Sequence, residues 1–236
     1  MGQNFLVEQK ALKKIVNSAE LSKEDTVLEI GAGLGSLTRL LALAAGEVKA
    51  VEIDQRLLPV LNEVVKPYPN VQVIAGDILT LDPGLIIGKS GYVVVANIPY
   101  YITSAIIRHL LENPVKPSRI VLTMQREVAE RICAEPGDLS LLALSVQVYG
   151  KPRISAIIPA QAFYPAPKVD SASLRVDLHP QPIFNDLQRE QFFTLIRAGF
   201  SQKRKKLRNT ISAGLHLPAE TAADLLRAAG IDNACK

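Results

Sequence analysis

Apolar residues along this chain change their spacing again and again. Phe5, Leu12, Ile15, Val16 and Ala19 recur near the helical repeat with lysines between them, which predicts a helix over 5–19. Thr26-Val27-Leu28-Glu29-Ile30 is a short β-rich run that ends in Gly31-Ala32-Gly33-Leu34-Gly35, and a helix follows from Ser36 to Ala45. Val48 to Ile53 reads as a second strand closing on Glu52 and Asp54, with a helix from Arg56 to Val65. A third strand, Val71 to Ala75, leads to Gly76-Asp77, and a fourth, Tyr92 to Ala96, leads to Asn97-Ile98-Pro99-Tyr100. Helix Ser104–Glu112, strand Arg119–Met124 and helix Glu127–Ala134 complete the alternation.

Strands that alternate with helices at this spacing imply βαβ units, a mostly parallel sheet and helices on both faces. The pattern changes after residue 150. Pro152–Ile158 and Ser171–Leu178 read as two strands joined by a proline-rich loop, Pro159–Pro167, which suggests an antiparallel hairpin at one sheet edge. His179-Pro180-Gln181-Pro182 reads as a linker, and Leu187–Gly199, Lys203–Ala213 and Ala219–Ala229 as helices. The expected architecture is α/β: a Rossmann-like domain over 1–180 and a small helical domain over 181–236.

Composition adds bounds. The 236 residues, 48% hydrophobic, allow one large domain, or one large and one small. No run approaches the length of a membrane-spanning helix. The start, MGQNFLVEQK, lacks the basic-then-apolar pattern of a secretory signal, so a cytoplasmic protein is expected. Cys133 and Cys235 stand far apart, without metal-ligand spacing, and read as free thiols. The net charge of +4 is modest but uneven: Arg197, Lys203, Arg204, Lys205, Lys206 and Arg208 crowd a stretch with no acid. Such a run is either a solvated face or a contact for nucleic acid.

In open parallel sheets, ligands bind beyond the carboxyl ends of the strands, where this chain sets Gly31 to Gly35, Glu52, Asp77 and Asn97. A dinucleotide fold would show G-x-G-x-x-G. Here G-x-G-x-G follows an acid, which suits a ligand without phosphate. Glu52, about 20 residues past the loop, can accept two ribose hydroxyls, and Asp77 an adenine amino group. This combination resembles the class I methyltransferases that use S-adenosylmethionine. The nicotinamide-dinucleotide reading falls behind because no second mononucleotide-binding half follows.

Asn97-Ile98-Pro99-Tyr100 suits methylation of an amino group on a base. The N6 lone pair of adenine is delocalised into the ring, so the amine is a poor nucleophile. The Asn97 side-chain oxygen and the Ile98 carbonyl could accept its two N–H protons and direct the lone pair at the methyl group. Pro99 restricts the backbone so that both oxygens converge, and Tyr100 would stack on the base, a contact of roughly 1–3 kcal/mol. Positioning does most of that work, and the base must be flipped out or unpaired. Phe163 or Tyr164 could close the other face of the adenine; a core aromatic under a loop is the alternative for Phe163.

Gly2-Gln3-Asn4-Phe5-Leu6, Asn97-Ile98-Pro99-Tyr100, Met124-Gln125-Arg126-Glu127-Val128-Ala129-Glu130-Arg131 and the run Phe163-Tyr164-Pro165-Ala166-Pro167-Lys168-Val169-Asp170-Ser171 occur in that order. Together they resemble the rRNA adenine N6,N6-dimethyltransferases of the bacterial KsgA type over nearly the whole chain. The resemblance implies that two adjacent adenines near the 3′ end of small-subunit rRNA each receive two methyl groups during ribosome biogenesis. It implies a cofactor site bordered by Gln3, Asn4, Leu6, Gly31, Gly33, Glu52, Ile53, Asp77, Ile78 and Asn97, with Asn97, Ile98, Pro99, Tyr100 and Phe163 handling the target base. It also turns Lys203, Arg204, Lys205, Lys206 and Arg208 into expected contacts to RNA phosphates. A short basic lead before Met1 and a further helix after Lys236 are expected by the same resemblance. The expected assembly is a monomer acting on an immature small subunit. Three other readings stand beside it: a methyltransferase of the macrolide-resistance type acting on large-subunit rRNA, a non-catalytic RNA-binding factor that keeps the fold, and a small-molecule methyltransferase, against which the basic helical domain weighs.

Overall fold

The structure is a computed structural model and describes residues 4–97, 102–202 and 204–231. In chain order the strands are β1 (Phe5–Leu6), β2 (Thr26–Ile30), β3 (Glu47–Glu52), β4 (Val71–Ala75), β5 (Val93–Asn97), β6 (Arg119–Gln125), β7 (Gly150–Ile158), β8 (Phe163–Tyr164) and β9 (Ser171–Leu178). The helices of the sheet domain are α1 (Gln9–Ala19), α2 (Thr38–Ala44), α3 (Leu58–Val65), α4 (Pro83–Ile87), α5 (Thr103–Glu112), α6 (Arg126–Ile132) and α7 (Leu141–Gln147). After them come α8 (Asp186–Gly199), α9 (Leu207–Gly214) and α10 (Ala219–Ala228).

Seven strands form one sheet in the order β4-β3-β2-β5-β6-β9-β7. The first five are parallel; β9 runs antiparallel to both β6 and β7. Strand order therefore reverses between β2 and β5, the switch point beyond whose carboxyl ends open parallel sheets hold their ligands in a crevice. The continuous apolar run Val93-Val94-Val95-Ala96 suits a strand covered on both faces. Val27, Val93, Val95 and Val121 face α1 and α2, while Leu28, Val94, Leu122 and Leu174 face α5, α6 and α7.

Helix α1 buries Ala11, Leu12, Ile15 and Ala19, one stripe at helical spacing, and ends at Glu20 in a left-handed conformation (φ 46°). That corner is held by charge. Arg175, almost fully buried on β9, donates to the Ser18 carbonyl 2.7 Å away and pairs with Glu20 at 2.6 Å and Asp177 at 2.8 Å. Arg119 and Arg153 join the same two acids. In the tail, α9 packs on α8 and α10 around Ala198, Ile211 and Ala222.

The largest departures from the periodicity are at the chain start and before α9. Phe5 belongs to a strand, and the helix starts at Gln9: Val7 and Glu8 donate their N–H groups to the distant Ala162 carbonyl instead of opening a helical ladder. The helix expected from residue 203 starts at Leu207, because Lys205 closes a turn on Gln202 and the residue before the helix, Lys206, is extended (ψ 139°). A helix through this run would set Arg204 and Lys205 on the same face as Arg208, four and three residues on, and that like-charge repulsion favours the open turn. The short α4 and α7 are helices that the apolar pattern does not announce.

Candidate active site

The turn after β2 is left-handed at each glycine: φ is 76° at Gly31, 58° at Gly33 and 80° at Gly35. Side chains rarely adopt this geometry. The turn is pinned to β3, since Gly31 and Ala32 both donate to the Val51 carbonyl, at 2.9 and 3.2 Å. A carboxylate completes the brace: Glu52 accepts from the Gly33 N–H at 2.7 Å and from the Asp54 N–H at 2.9 Å. Asp54 in turn holds Arg56, whose guanidinium keeps the Asp54 carboxyl down at about 2. Ile53, between the two acids, is exposed.

Asp77 follows β4 and accepts from the Leu79 N–H at 2.9 Å, while Gly76 donates to the Glu52 backbone carbonyl at 2.9 Å. Ile78 is buried beside it. Asn97 is the last residue of β5, half-buried, in register with Thr123 on β6. The carboxyl ends of β2, β3, β4 and β5 thus bring Gly31, Gly33, Glu52, Ile53, Asp77, Ile78 and Asn97 to one edge of the sheet.

Strand β1 joins this edge from the chain start. It pairs with β8, Phe5 opposite Tyr164 and Leu6 opposite Phe163. The Phe5 ring lies over the glycine turn, 3.4 Å from where a Cβ on Gly33 would stand. Asn4 is half-buried at the head of this strand, and Leu6 is buried. Phe163 is only 4% exposed and packs with Leu6 and Ala162 in the core, whereas Tyr164 is 74% exposed. Asp170 ties the proline loop to its neighbours, accepting from Ala160 at 3.0 Å through its carboxylate and from Arg126 at 3.1 Å through its backbone. Gln3, Ile98, Pro99, Tyr100 and Lys203 lie outside the described residues. Arg204, Lys205 and Lys206 are exposed and Arg208 is half-buried, in the turn before α9 and its first residues, remote in sequence from the crevice.

One polar group here escapes a reading by motif alone. Glu29, the acid within β2, is fully buried with neither carboxyl oxygen hydrogen-bonded, beside the equally unpartnered Thr38 hydroxyl. Burial pushes its carboxyl up to about 8, the Thr38 side chain works against that, and the charge of Glu52 adds to it. An acid inside an otherwise apolar strand was the visible signal. Glu52, Asp54 and Asp77 make the edge acidic, and Arg56 beside them is tied to Asp54. A pyrophosphate fits such an edge poorly; a nucleoside with a positive charge fits it well.

A family model described as ribosomal RNA adenine dimethylase matches residues 1–234. The chain belongs to the ribosomal RNA adenine dimethylase family. This ribosomal RNA adenine dimethylase is therefore a methyltransferase, and S-adenosylmethionine is its methyl donor. It is 45% identical over 235 residues to the ribosomal RNA small subunit methyltransferase A of Dehalococcoides mccartyi, covering 99% of this chain and 81% of that one. Against the enzyme of the same name from Alkaliphilus oremlandii it is 40% identical, covering 98% and 83%. Among solved structures it is similar to the 23S rRNA methyltransferase ErmE, with a TM-score of 0.81 at 30% identity over 99% of this chain and 93% of that one. A dimethyladenosine transferase from Plasmodium falciparum gives a TM-score of 0.79 at 29% identity, over 97% and 82%. No helix among the described residues of the dimethylase is long and apolar enough to cross a membrane.

Proposed function

We propose that the dimethylase transfers methyl groups to N6 of two adjacent adenines near the 3′ end of small-subunit rRNA, two to each, as a monomer acting on immature small subunits in the cytoplasm. The chemistry rests on one observation above the rest: Asn97 ends β5 directly across the switch point from the glycine turn that follows β2. Choice of RNA rests on sequence, since relatives named for the small subunit reach 40–45% identity. Fold similarity by itself also extends to the large-subunit enzyme ErmE.

S-adenosylmethionine, when bound, supplies a methyl group on a sulfonium that leaves as a neutral thioether. Glu52 has both oxygens engaged by backbone N–H groups, which fixes its carboxylate in place to receive the ribose hydroxyls on its remaining lone pairs. Asp77, anchored by Leu79, receives the adenine amino group, with Ile53 and Ile78 beside the ring and Asn4, Leu6 and Gln3 closing the chain-start side. Asn97 Oδ1 accepts an N6–H of the target base and the Ile98 carbonyl the second, while Pro99 and Tyr100 shape the turn and stack on the base. Phe163 forms the opposite wall from inside the core. After the first transfer only one N–H remains, so one acceptor contact is released before the second. Arg204, Lys205, Lys206 and Arg208, with Lys203, hold RNA phosphates from the helical tail, 181–236.

Incubating labelled S-adenosylmethionine with unmethylated small and large subunits, then mapping the product by mass spectrometry, tests the reading. Dimethyladenine confined to the small subunit is expected; label in the large subunit overturns it. Asn97→Ala is expected to lower kcat at least about a hundredfold while the cofactor Kd changes only a few-fold.

A further inference from the structure

Strand β2 places Glu29 between two aliphatic neighbours, in register with Ala50 on β3 and Val95 on β5. It is 1% exposed. From α2, the element packed against it, comes the Thr38 hydroxyl, which is 0% exposed and outside hydrogen-bond geometry. The charge that bears on it is a like charge, Glu52 at the end of β3, whose own oxygens are turned to Gly33 and Asp54. Beyond Glu52, Asp54 is neutralised by Arg56. Burial outweighs the opposing influence of the Thr38 side chain, the charge of Glu52 adds to it, and the proton stays on Glu29 to about pH 8.

The turn 31–35 begins two residues after Glu29, at the carboxyl end of the same strand, and three of its five residues are glycines. So short a connection lets the charge of a ligand bound at the turn act on the buried carboxyl. The two cofactor forms that must exchange there share an adenosine, an ammonium and a carboxylate. They differ in the methyl group and in one charge: the donor carries a sulfonium, the spent product a neutral thioether.

We propose that Glu29 is the charge-sensing group of the methyl-donor site: it carries a proton when the site is empty or holds the thioether, and releases it when the sulfonium binds. This rests on the reading of the crevice as the S-adenosylmethionine site. The exchange balances, since one cation enters as one proton leaves to solvent, and the buried region keeps its net charge. Its use is discrimination. Four transfers to one RNA require repeated replacement of product by donor, and a carboxylate that ionises only for the sulfonium favours the donor over the product.

Calorimetric titration of the full chain at pH 7.5, in buffers of differing ionisation enthalpy, reads the proton directly. S-adenosylmethionine is expected to release about half a proton or more, and S-adenosylhomocysteine markedly less. Glu29→Gln is expected to erase that difference and to shrink the preference for donor over product about tenfold, with S-adenosylhomocysteine binding retained as evidence of a folded site. In the wild-type chain the ratio of the two Kd values is expected to move in favour of the donor as pH rises from 6 to 8.5. Equal proton release for both ligands, release that persists in Glu29→Gln, or a pH-independent ratio each overturn the proposal. Failure of either ligand to bind the wild-type chain would instead overturn the donor-site reading on which it rests.

Discussion

Glu52 gives one oxygen to the Gly33 N–H and the other to the Asp54 N–H, so it shapes the glycine turn as well as facing the crevice. In Glu52→Gln an amide NH2 replaces one acceptor and meets an N–H head on. Donor affinity is expected to fall at least about tenfold by calorimetry, since a charge-assisted bond to a buried group is worth roughly 1.5–3 kcal/mol. Glu29 carries the opposite sign in its effect on stability. Its folded-state carboxyl sits near 8 against an ordinary 4.5, so the stabilisation of the protonated form is complete below pH 4.5 and is lost as pH rises toward 8. Melting curves across that range should show Glu29→Gln gaining on the wild type as pH rises; a constant difference would contradict the burial argument. At this scale the sequence exposes Glu52, Asp77 and Asn97, because strand ends carry ligands in parallel sheets. It does not expose the isolation of Glu29, which depends on Ala50, Val95 and Thr38 closing around it from three separate elements.

Among the elements, the turn between β2 and α2 is the most tightly specified. A Cβ at Gly35 would stand 2.8 Å from Val64 Cγ1 of α3, on a backbone with φ 80°. Gly88 has a similar φ, 78°, but open space around it. Gly35→Ala is therefore expected to cost about 2–4 kcal/mol and Gly88→Ala about 1 kcal/mol in urea denaturation, the difference being the clash. Equal losses would mean that backbone strain alone governs both. The parallel strands and their helices are legible from the alternating runs because each buries its own pattern. Strands β1 and β8 are not: two residues each, they exist through pairing across more than 150 positions, and the apolar spacing that draws Phe5 into a helix is satisfied instead by its contact with Gly33.

Over the whole molecule, charge is divided between two regions. The crevice is acidic, while the turn before α9 presents Arg204, Lys205 and Lys206 to solvent. Replacing these three by alanine is expected to weaken RNA binding and lower the slope of log K against log salt by about 2–3, with donor affinity unchanged. An unchanged slope would make the run an ordinary solvated face. At the far end of the sheet, Arg175 is the first influence lowering the Glu20 carboxyl, and Arg175 with Arg119 outweighs the burial that would raise Asp177. Both acids thus sit below their ordinary values of 4.5 and 3.8, and the stability they add is present above those values and lost as pH falls through the depressed ones. Arg175→Met should flatten that acid limb of the melting profile.

The same arginine cluster has a consequence for how the protein is made. Arg175 reaches back 157 residues to Ser18, and Arg153 reaches 133 residues to Glu20. On a translating ribosome, α1 is finished long before β7 and β9, the strands its corner is fastened to. Until they arrive, Leu12, Ile15 and Ala19 have only part of their sheet, and β6 keeps an open edge of hydrogen-bonding groups. Synthesis order and docking order are therefore opposed: the first helix is among the last pieces to be locked, and a chain paused before Ser171 offers proteases and chaperones both the helix and the unpaired edge.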